Sequence, residues 1–126
     1  MSETHVNVRY MVDDVQACVD WYVGHFGFSP QMNAAPAFAS VHRGPLRLLI
    51  SGPKSSAGRP MPDGRQPQAG GWNRFQVIVE DIAAEVERLR GAGVNFRNDI
   101  VVGPGGSQIL AEDPAGNLVE LFQPAG

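Results

Sequence analysis

Hydrophobic and polar side chains alternate at the start of the chain. Val6, Val8, Tyr10 and Val12 alternate with His5, Asn7, Arg9 and Met11. This period of two predicts a β-strand with one buried face. After Asp13 and Asp14, hydrophobic residues recur at helical spacing, which predicts an amphipathic helix over about 15–26. Either aspartate suits the helix N-cap, and Gly27 suits a left-handed C-terminal end.

The same pattern occurs a second time. The segment 8–15 aligns without a gap with 75–82, and the match extends through the following helix. Each copy therefore predicts a strand, an acidic turn, a helix, a glycine and further strands. The predicted further strands are 37–43, 46–51, 94–102, 107–112 and 117–123. We predict an α+β fold in which two βαβββ modules form curved mixed sheets around a cleft.

The segment 53–71 separates the two copies. It is rich in Pro, Gly, Ser and Gln and has almost no hydrophobic content, which indicates a loop or a linker. A stretch of this length without regular structure is uncommon within a domain and is either functional or disordered. We expect a single domain, 1–126, with module one at 1–52 and module two at 72–126.

The second face of each predicted sheet mixes charged, amide and aromatic side chains. An antiparallel sheet can expose such a face to solvent, but bulky residues such as Trp72 and Phe122 would make a poor plain exterior. Aromatic walls with a few polar groups are typical of a small-molecule site. The expected ligand-binding residues are His5, Asn7, Arg9, Phe38, His42, Leu49, Trp72, Arg74, Gln76, Glu120 and Phe122.

Composition and charge narrow the set of partners. The 126 residues are 43% hydrophobic and 18% charged, which is ordinary for a globular protein. With a net charge of −3 and scattered Lys and Arg, nucleic acid is not an expected partner. There is no hydrophobic run of membrane-spanning length and no secretory signal at the N-terminus, so we expect a cytoplasmic protein without membrane contact. The single cysteine, Cys18, is expected to be a buried thiol.

Three motifs resemble the vicinal oxygen chelate superfamily, which includes glyoxalase I, the bleomycin-resistance proteins and the extradiol dioxygenases. The first is Val12-Asp-Asp-Val15 with the aromatic pair Trp21-Tyr22 and then Gly27-Phe28. The second, Val79-Glu-Asp-Ile82, repeats its opening, and the third runs from Glu112 to Asn117 and on to Glu120-Leu121. The resemblance covers nearly the whole chain except the loop. It implies the two-module fold and a homodimer.

In metal-dependent members of this superfamily, four inward-facing positions bind a divalent ion. The resemblance places these positions on Asn7, Leu49 (with Leu48 as the alternative register), Arg74 and Glu120. Only Glu120 is an ordinary ligand for a divalent cation, and a guanidinium would repel the ion. We therefore expect no metal cofactor, and we predict an ion pair between Arg74 and Glu120.

Three functions are compatible with these residues. The first, which we favour, is metal-free binding or sequestration of a drug or metabolite. The second is a divergent glyoxalase-like lyase or dioxygenase with one divalent ion, held by His5 and Glu120, with His42 as a further candidate ligand. The third is a metal-free enzyme in which Glu120 is the catalytic base and Arg74 stabilises an oxyanion. An arginine that stabilises the charged carboxylate counts against the third.

Overall fold

Two similar modules make up the chain, and the second has one additional strand. The computed structural model describes residues 4–126. The elements of the first copy are β1 (Val6–Met11), α1 (Val15–Phe26), β2 (Ser29–Ala34), β3 (Phe38–Arg43) and β4 (Leu46–Ser51). Those of the second copy are β5 (Arg74–Ile78), α2 (Ile82–Gly91), β6 (Asn95–Phe96), β7 (Val101–Gly103), β8 (Gly106–Glu112) and β9 (Leu118–Pro124). Residues 1–3, which belong to the N-terminal segment that predicts a cytoplasmic protein, lie outside the described residues.

The two sheets share one topology. The first has the strand order β1-β4-β3-β2, and the second has the order β5-β9-β8-β6, with β7 also paired to β8. In each sheet the first strand is parallel to the last, and the other pairs are antiparallel. The predicted α+β class with two βαβββ modules is confirmed.

The predicted strand 94–102 differs from the structure, where it is divided into β6 and β7. The side-chain oxygen of Asn98 accepts a hydrogen bond from the backbone N–H of Leu110, at 3.0 Å. An asparagine side chain thereby takes the place of a backbone carbonyl opposite β8, and the regular strand pairing stops there. The strand β2 had no predicted range, because its residues are exposed and show no alternation.

The chain divides into two units, Met1–Gly70 and Gly71–Gly126, called here the first and the second unit. The first unit therefore contains most of the loop, which begins with a short 3₁₀ turn at Ser56–Gly58. Gln66 donates from its side chain to the backbone oxygen of Gly58 at 2.7 Å. Later in the loop, Met61 donates its backbone N–H to the carbonyl of Arg65 at 2.8 Å. These bonds give the loop a defined course within the first unit.

Each helix begins directly after the second of two acidic residues. These second residues are Asp14 for α1 and Asp81 for α2. The side chain of Asp14 accepts from the N–H of Ala17 at 3.0 Å, and that of Asp81 accepts from Ala84 at 3.1 Å. Each carboxylate satisfies a backbone donor that has no partner inside the helix. Gly27 ends the first helix in the left-handed conformation, with φ of 69°.

Each helix packs its hydrophobic stripe on one face of its own sheet. In the first unit α1 contacts β3 and β4, and in the second unit α2 contacts β9. The fully buried side chains include Tyr22, Leu48 and Ile50 in the first unit and Leu89, Ile109 and Leu121 in the second. Cys18 is a buried free thiol, as predicted. None of the helices within residues 4–126 is long and apolar enough to cross a membrane.

Candidate functional site

Each sheet has a second face that its own helix does not cover, because side chains alternate between the two faces of a strand. Strand register assigns the residues of these two faces. The first open face consists of Asn7, Arg9, Met11, Phe38, Ser40, His42, Arg47, Leu49 and Ser51. The second open face consists of Arg74, Gln76, Ile78, Gln108, Leu110, Glu112, Leu118, Glu120 and Phe122.

The predicted ligand-binding residues are divided between these faces. Those on the first open face are Asn7, Arg9, Phe38, His42 and Leu49, and those on the second are Arg74, Gln76, Glu120 and Phe122. His5 and Trp72 precede strands β1 and β5, respectively, so they extend the two faces at their edges. Each unit therefore brings its own share of the predicted residues together.

Glu120 is the centre of the second open face. Arg74 donates from Nε to Oε1 of Glu120 at 2.9 Å, and its Nη2 lies 2.8 Å from the same oxygen. Gln76 donates to the other carboxylate oxygen, Oε2, at 2.6 Å. The side chain of Glu120 is 8% exposed and that of Arg74 is 29% exposed. The predicted ion pair is present, and both oxygens of the carboxylate already accept hydrogen bonds.

A second ion pair lies beside this cluster and was not predicted. The guanidinium of Arg97 is 3.1 Å from Oε2 of Glu112, and it stacks over the ring of Trp72 with its carbon 4.6 Å from the ring centroid. This contact orients the indole ring at the edge of the face, where Trp72 remains 65% exposed. Every arginine of the second open face and its edge therefore has a carboxylate partner.

The first open face has a different electrostatic character. Arg9 donates to the hydroxyl of Ser51 at 2.9 Å and has no ion pair within the described residues. Arg47 has a buried Nε without a hydrogen-bond partner in the described part of the chain. Arg47 was not among the predicted site residues, although its alternation with Leu49 placed it on this face. The described residues of the first open face therefore include two arginines, Arg9 and Arg47, that are in no ion pair with another described residue.

A cavity of about 410 Å³ opens beside Arg9. It is lined by Arg9, Ala37, Phe38, Lys54, Ser55, Ser56 and Ala57. The open face supplies one wall, and the 3₁₀ turn at the start of the loop supplies the other. Lys54 was not predicted, because the loop has no periodicity from which the position of a side chain can be inferred.

The sequence profile of the Glyoxalase/Bleomycin resistance protein/Dioxygenase superfamily matches residues 4–121. The chain belongs to this superfamily. No curated protein sequence matches the chain.

Solved structures share the fold over nearly the whole chain. A superfamily member from Sphaerobacter thermophilus DSM 20745 is 25% identical, with a TM-score of 0.75 and coverage of 98% of both chains. TnmS3, an antibiotic binding protein from Streptomyces sp. CB03234, is 24% identical, with a TM-score of 0.71 and 99% of both chains covered. A lactoylglutathione lyase from Agrobacterium tumefaciens is 20% identical, with a TM-score of 0.72 and coverage of 97% of this chain and 94% of the other. One fold thus serves both a binding protein and a lyase.

The residues that the resemblance assigns to the metal-binding positions are not a set of ligands for a divalent ion. In the first unit these residues are Asn7 and Leu49, which both lie on the open face, and Leu49 has no donor atom. In the second unit, Arg74 places a cation 2.8 Å from the carboxylate of Glu120. Within residues 4–126 there is no group of three or more His, Cys, Asp or Glu side chains that could hold a metal ion. The alternative ligands His5 and Glu120 belong to different units.

Proposed function

We propose that this protein binds a small molecule, a drug or a metabolite, without a metal ion and sequesters it. The observation that carries the proposal is the environment of Glu120. Arg74 holds one oxygen of its carboxylate and Gln76 holds the other. A guanidinium that is hydrogen-bonded to the carboxylate supplies the positive charge that a dication would otherwise bring to this position.

The binding function is favoured over the lyase by the site and not by the fold. TnmS3 and the lyase have nearly equal TM-scores to this chain, 0.71 and 0.72, so the fold is compatible with either activity. The lyase alternative requires a set of donors for a divalent ion. Asn7, Leu49 and Arg74 do not provide one.

A metal-free reaction with Glu120 as the base is also disfavoured by the contacts of its carboxylate. A general base must reach the proton that it removes, through an acceptor directed at the substrate. The residue Glu120 as a whole is 6% exposed, and its carboxylate already accepts hydrogen bonds from two side chains. This geometry is suited to a fixed, neutral floor on which a ligand rests.

The proposed ligand contacts are the open-face residues of each unit. The second face offers the half-buried ring of Phe122, the stacked indole of Trp72 and the amide of Gln76. The first face offers Phe38 and Leu49 with His42, Asn7 and the charged groups around Arg9. Apolar walls with a few directed polar groups recognise a small organic molecule by shape and by a limited number of hydrogen bonds.

The first test compares binding with turnover. After dialysis against EDTA, the protein is titrated with the neutral fluorescent aromatic N-phenyl-1-naphthylamine. In a parallel assay, formation of S-lactoylglutathione from methylglyoxal and glutathione is followed after addition of zinc, nickel or manganese. We expect saturable binding of the probe that is unchanged by EDTA or metal, and no conversion above the metal-only rate. Metal-dependent conversion that is abolished in Glu120→Gln would overturn the proposal.

We further propose that two chains form a homodimer. Large hydrophobic side chains are exposed on a single chain, and they include Val6, Met32, Trp72, Ile78, Val101 and Val102. A second copy that covers part of this surface removes it from water, and two-fold dimers are the commonest symmetric assembly. Analytical ultracentrifugation should show a species of twice the 13.5 kDa chain mass at micromolar concentration. A monomer under those conditions contradicts the dimer but leaves ligand binding by a single chain intact.

A further inference from the structure

The cavity beside Arg9 has cations on two sides and no acidic residue in its lining. Arg9 approaches from β1, and Lys54 approaches from the loop. An ion pair of the first unit joins Arg65 and Asp63, which lie in the loop and do not line this cavity. Within residues 4–126, neither Arg9 nor Lys54 forms an ion pair that would neutralise its positive charge.

Both cations retain hydrogen-bond donors that the described protein does not use. A guanidinium has five N–H donors, and the described contacts of Arg9 use its Nη1, which donates to Ser51. Lys54 makes no hydrogen bond or ion pair within residues 4–126. An oxyanion placed between them would accept charge-assisted hydrogen bonds from both, and such bonds are stronger than those between neutral groups.

The loop wall of the cavity is held in place by its own hydrogen bonds. Ser55 donates from Oγ to the carbonyl of Gly52 at 2.7 Å and accepts from the N–H of Gly58 at 3.2 Å. Gly58 is buried, and a Cβ there would overlap the carbonyl oxygens of Gly52 and Pro53. Lys54 is therefore presented by a closely packed turn, which lowers the entropic cost of binding at this position.

The remaining lining is apolar. Phe38 lies on the same face as Arg9 and is half-buried, and Ala37 and Ala57 complete the wall. An aromatic ring can pack on Phe38 while an attached anionic group reaches the two cations. A purely hydrophilic anion would leave this apolar wall without a partner.

The second unit provides an internal comparison. There, Arg74 and Arg97 are each paired with a carboxylate, Glu120 and Glu112 respectively. Among the described residues of the first unit, Arg9 has no carboxylate partner, and the buried Nε of Arg47 on the same face has no hydrogen-bond partner. Since both faces belong to the same type of module, the unpaired cations are specific to the first one.

We propose that this cavity, the cationic pocket, binds the oxyanion of an aromatic acid. Arg9 and Lys54 bind the anionic group, and Phe38 packs against the ring. This inference deepens the proposed function, on which it rests: the sequestered molecule is an aromatic compound with an acidic group.

The test uses two probes that differ by one acidic group. 8-Anilinonaphthalene-1-sulfonate carries a sulfonate, and N-phenyl-1-naphthylamine is the same aromatic skeleton without it. The sulfonate probe should bind more tightly to the protein and should lose affinity as salt is raised, because salt screens the attraction. Arg9→Gln and Lys54→Gln should each weaken the sulfonate probe by about tenfold, the loss expected for one charge-assisted hydrogen bond. The neutral probe should lose less affinity than the sulfonate probe in both variants, because it has no anionic group to pair with either cation.

Controls separate charge at the pocket from net charge and from folding. Arg43→Gln removes the same charge from an exposed position outside the cavity and should leave both probes unchanged. Lys54→Gln alters an exposed loop side chain without a described bond, so it tests the proposal even if Arg9→Gln fails to fold.

The outcomes distinguish the two proposals. If the neutral probe binds and the sulfonate probe is insensitive to Lys54→Gln and Arg9→Gln, the cationic pocket is wrong and the proposed function stands. If neither probe binds the unmodified protein, both are wrong.

Discussion

Replacing Arg74 by methionine is expected to lower the free energy of unfolding by about 2–4 kcal/mol, because the change leaves the buried carboxylate of Glu120 without its cation. The side chain of Glu120 is 8% exposed, so most of its charge faces protein and not water, and methionine offers it no hydrogen bond. Gln76 still donates to Oε2, which keeps the expected loss below that of a fully isolated charge.

The reverse change should cost less. In Glu120→Leu the stranded group is Arg74, whose side chain is 29% exposed and can turn toward water, so we expect a loss of about 1–2 kcal/mol. The double variant Arg74→Met with Glu120→Leu should cost less than the sum of the single changes, because it leaves no unpaired charge. Urea unfolding followed by circular dichroism gives the coupling energy of this cycle.

An exposed ion pair provides the matched control. On α2, Nη2 of Arg88 lies 2.6 Å from Oε2 of Glu85, and the two side chains are 50% and 37% exposed, respectively. The same cycle on this pair should give a coupling energy under about 1 kcal/mol. Additive effects of Arg74→Met and Glu120→Leu, no larger than those of the control pair, would show that the pair does not stabilise the floor of the second open face.

Most of the fold was predictable because the repeat in the sequence is also a repeat in the structure. The gapless match of 8–15 to 75–82 placed β1 and β5, and the aspartates at Asp14 and Asp81 are the observed N-caps. Local physics is sufficient there: alternation defines a strand, and a carboxylate before a hydrophobic stripe defines a helix start. The division of the predicted strand 94–102 was not predictable, since it depends on Asn98 reaching Leu110 across the sheet.

The candidate site was predictable where side chains follow strand alternation. Arg74 and Glu120 were placed on one face before their contact was known, because β5 and β9 correspond to strands that the resemblance pairs. Lys54 was not predictable, because its position depends on hydrogen bonds within a loop of irregular backbone. The role of Arg97 was not predictable either, because its contacts with Glu112 and Trp72 join segments that are distant in sequence.

We propose that the Arg74–Glu120 ion pair replaces the divalent ion that metal-dependent members of the superfamily bind. Elemental analysis tests it most directly, after incubation with zinc, nickel, manganese or ferrous ion and removal of the excess. The two possible results differ by one metal ion per chain, which is full occupancy of the site against none. We predict a content far below one ion per chain for each metal, in the unmodified protein and in Glu120→Gln alike. Stoichiometric binding of any of these ions that is lost in Glu120→Gln would contradict the account.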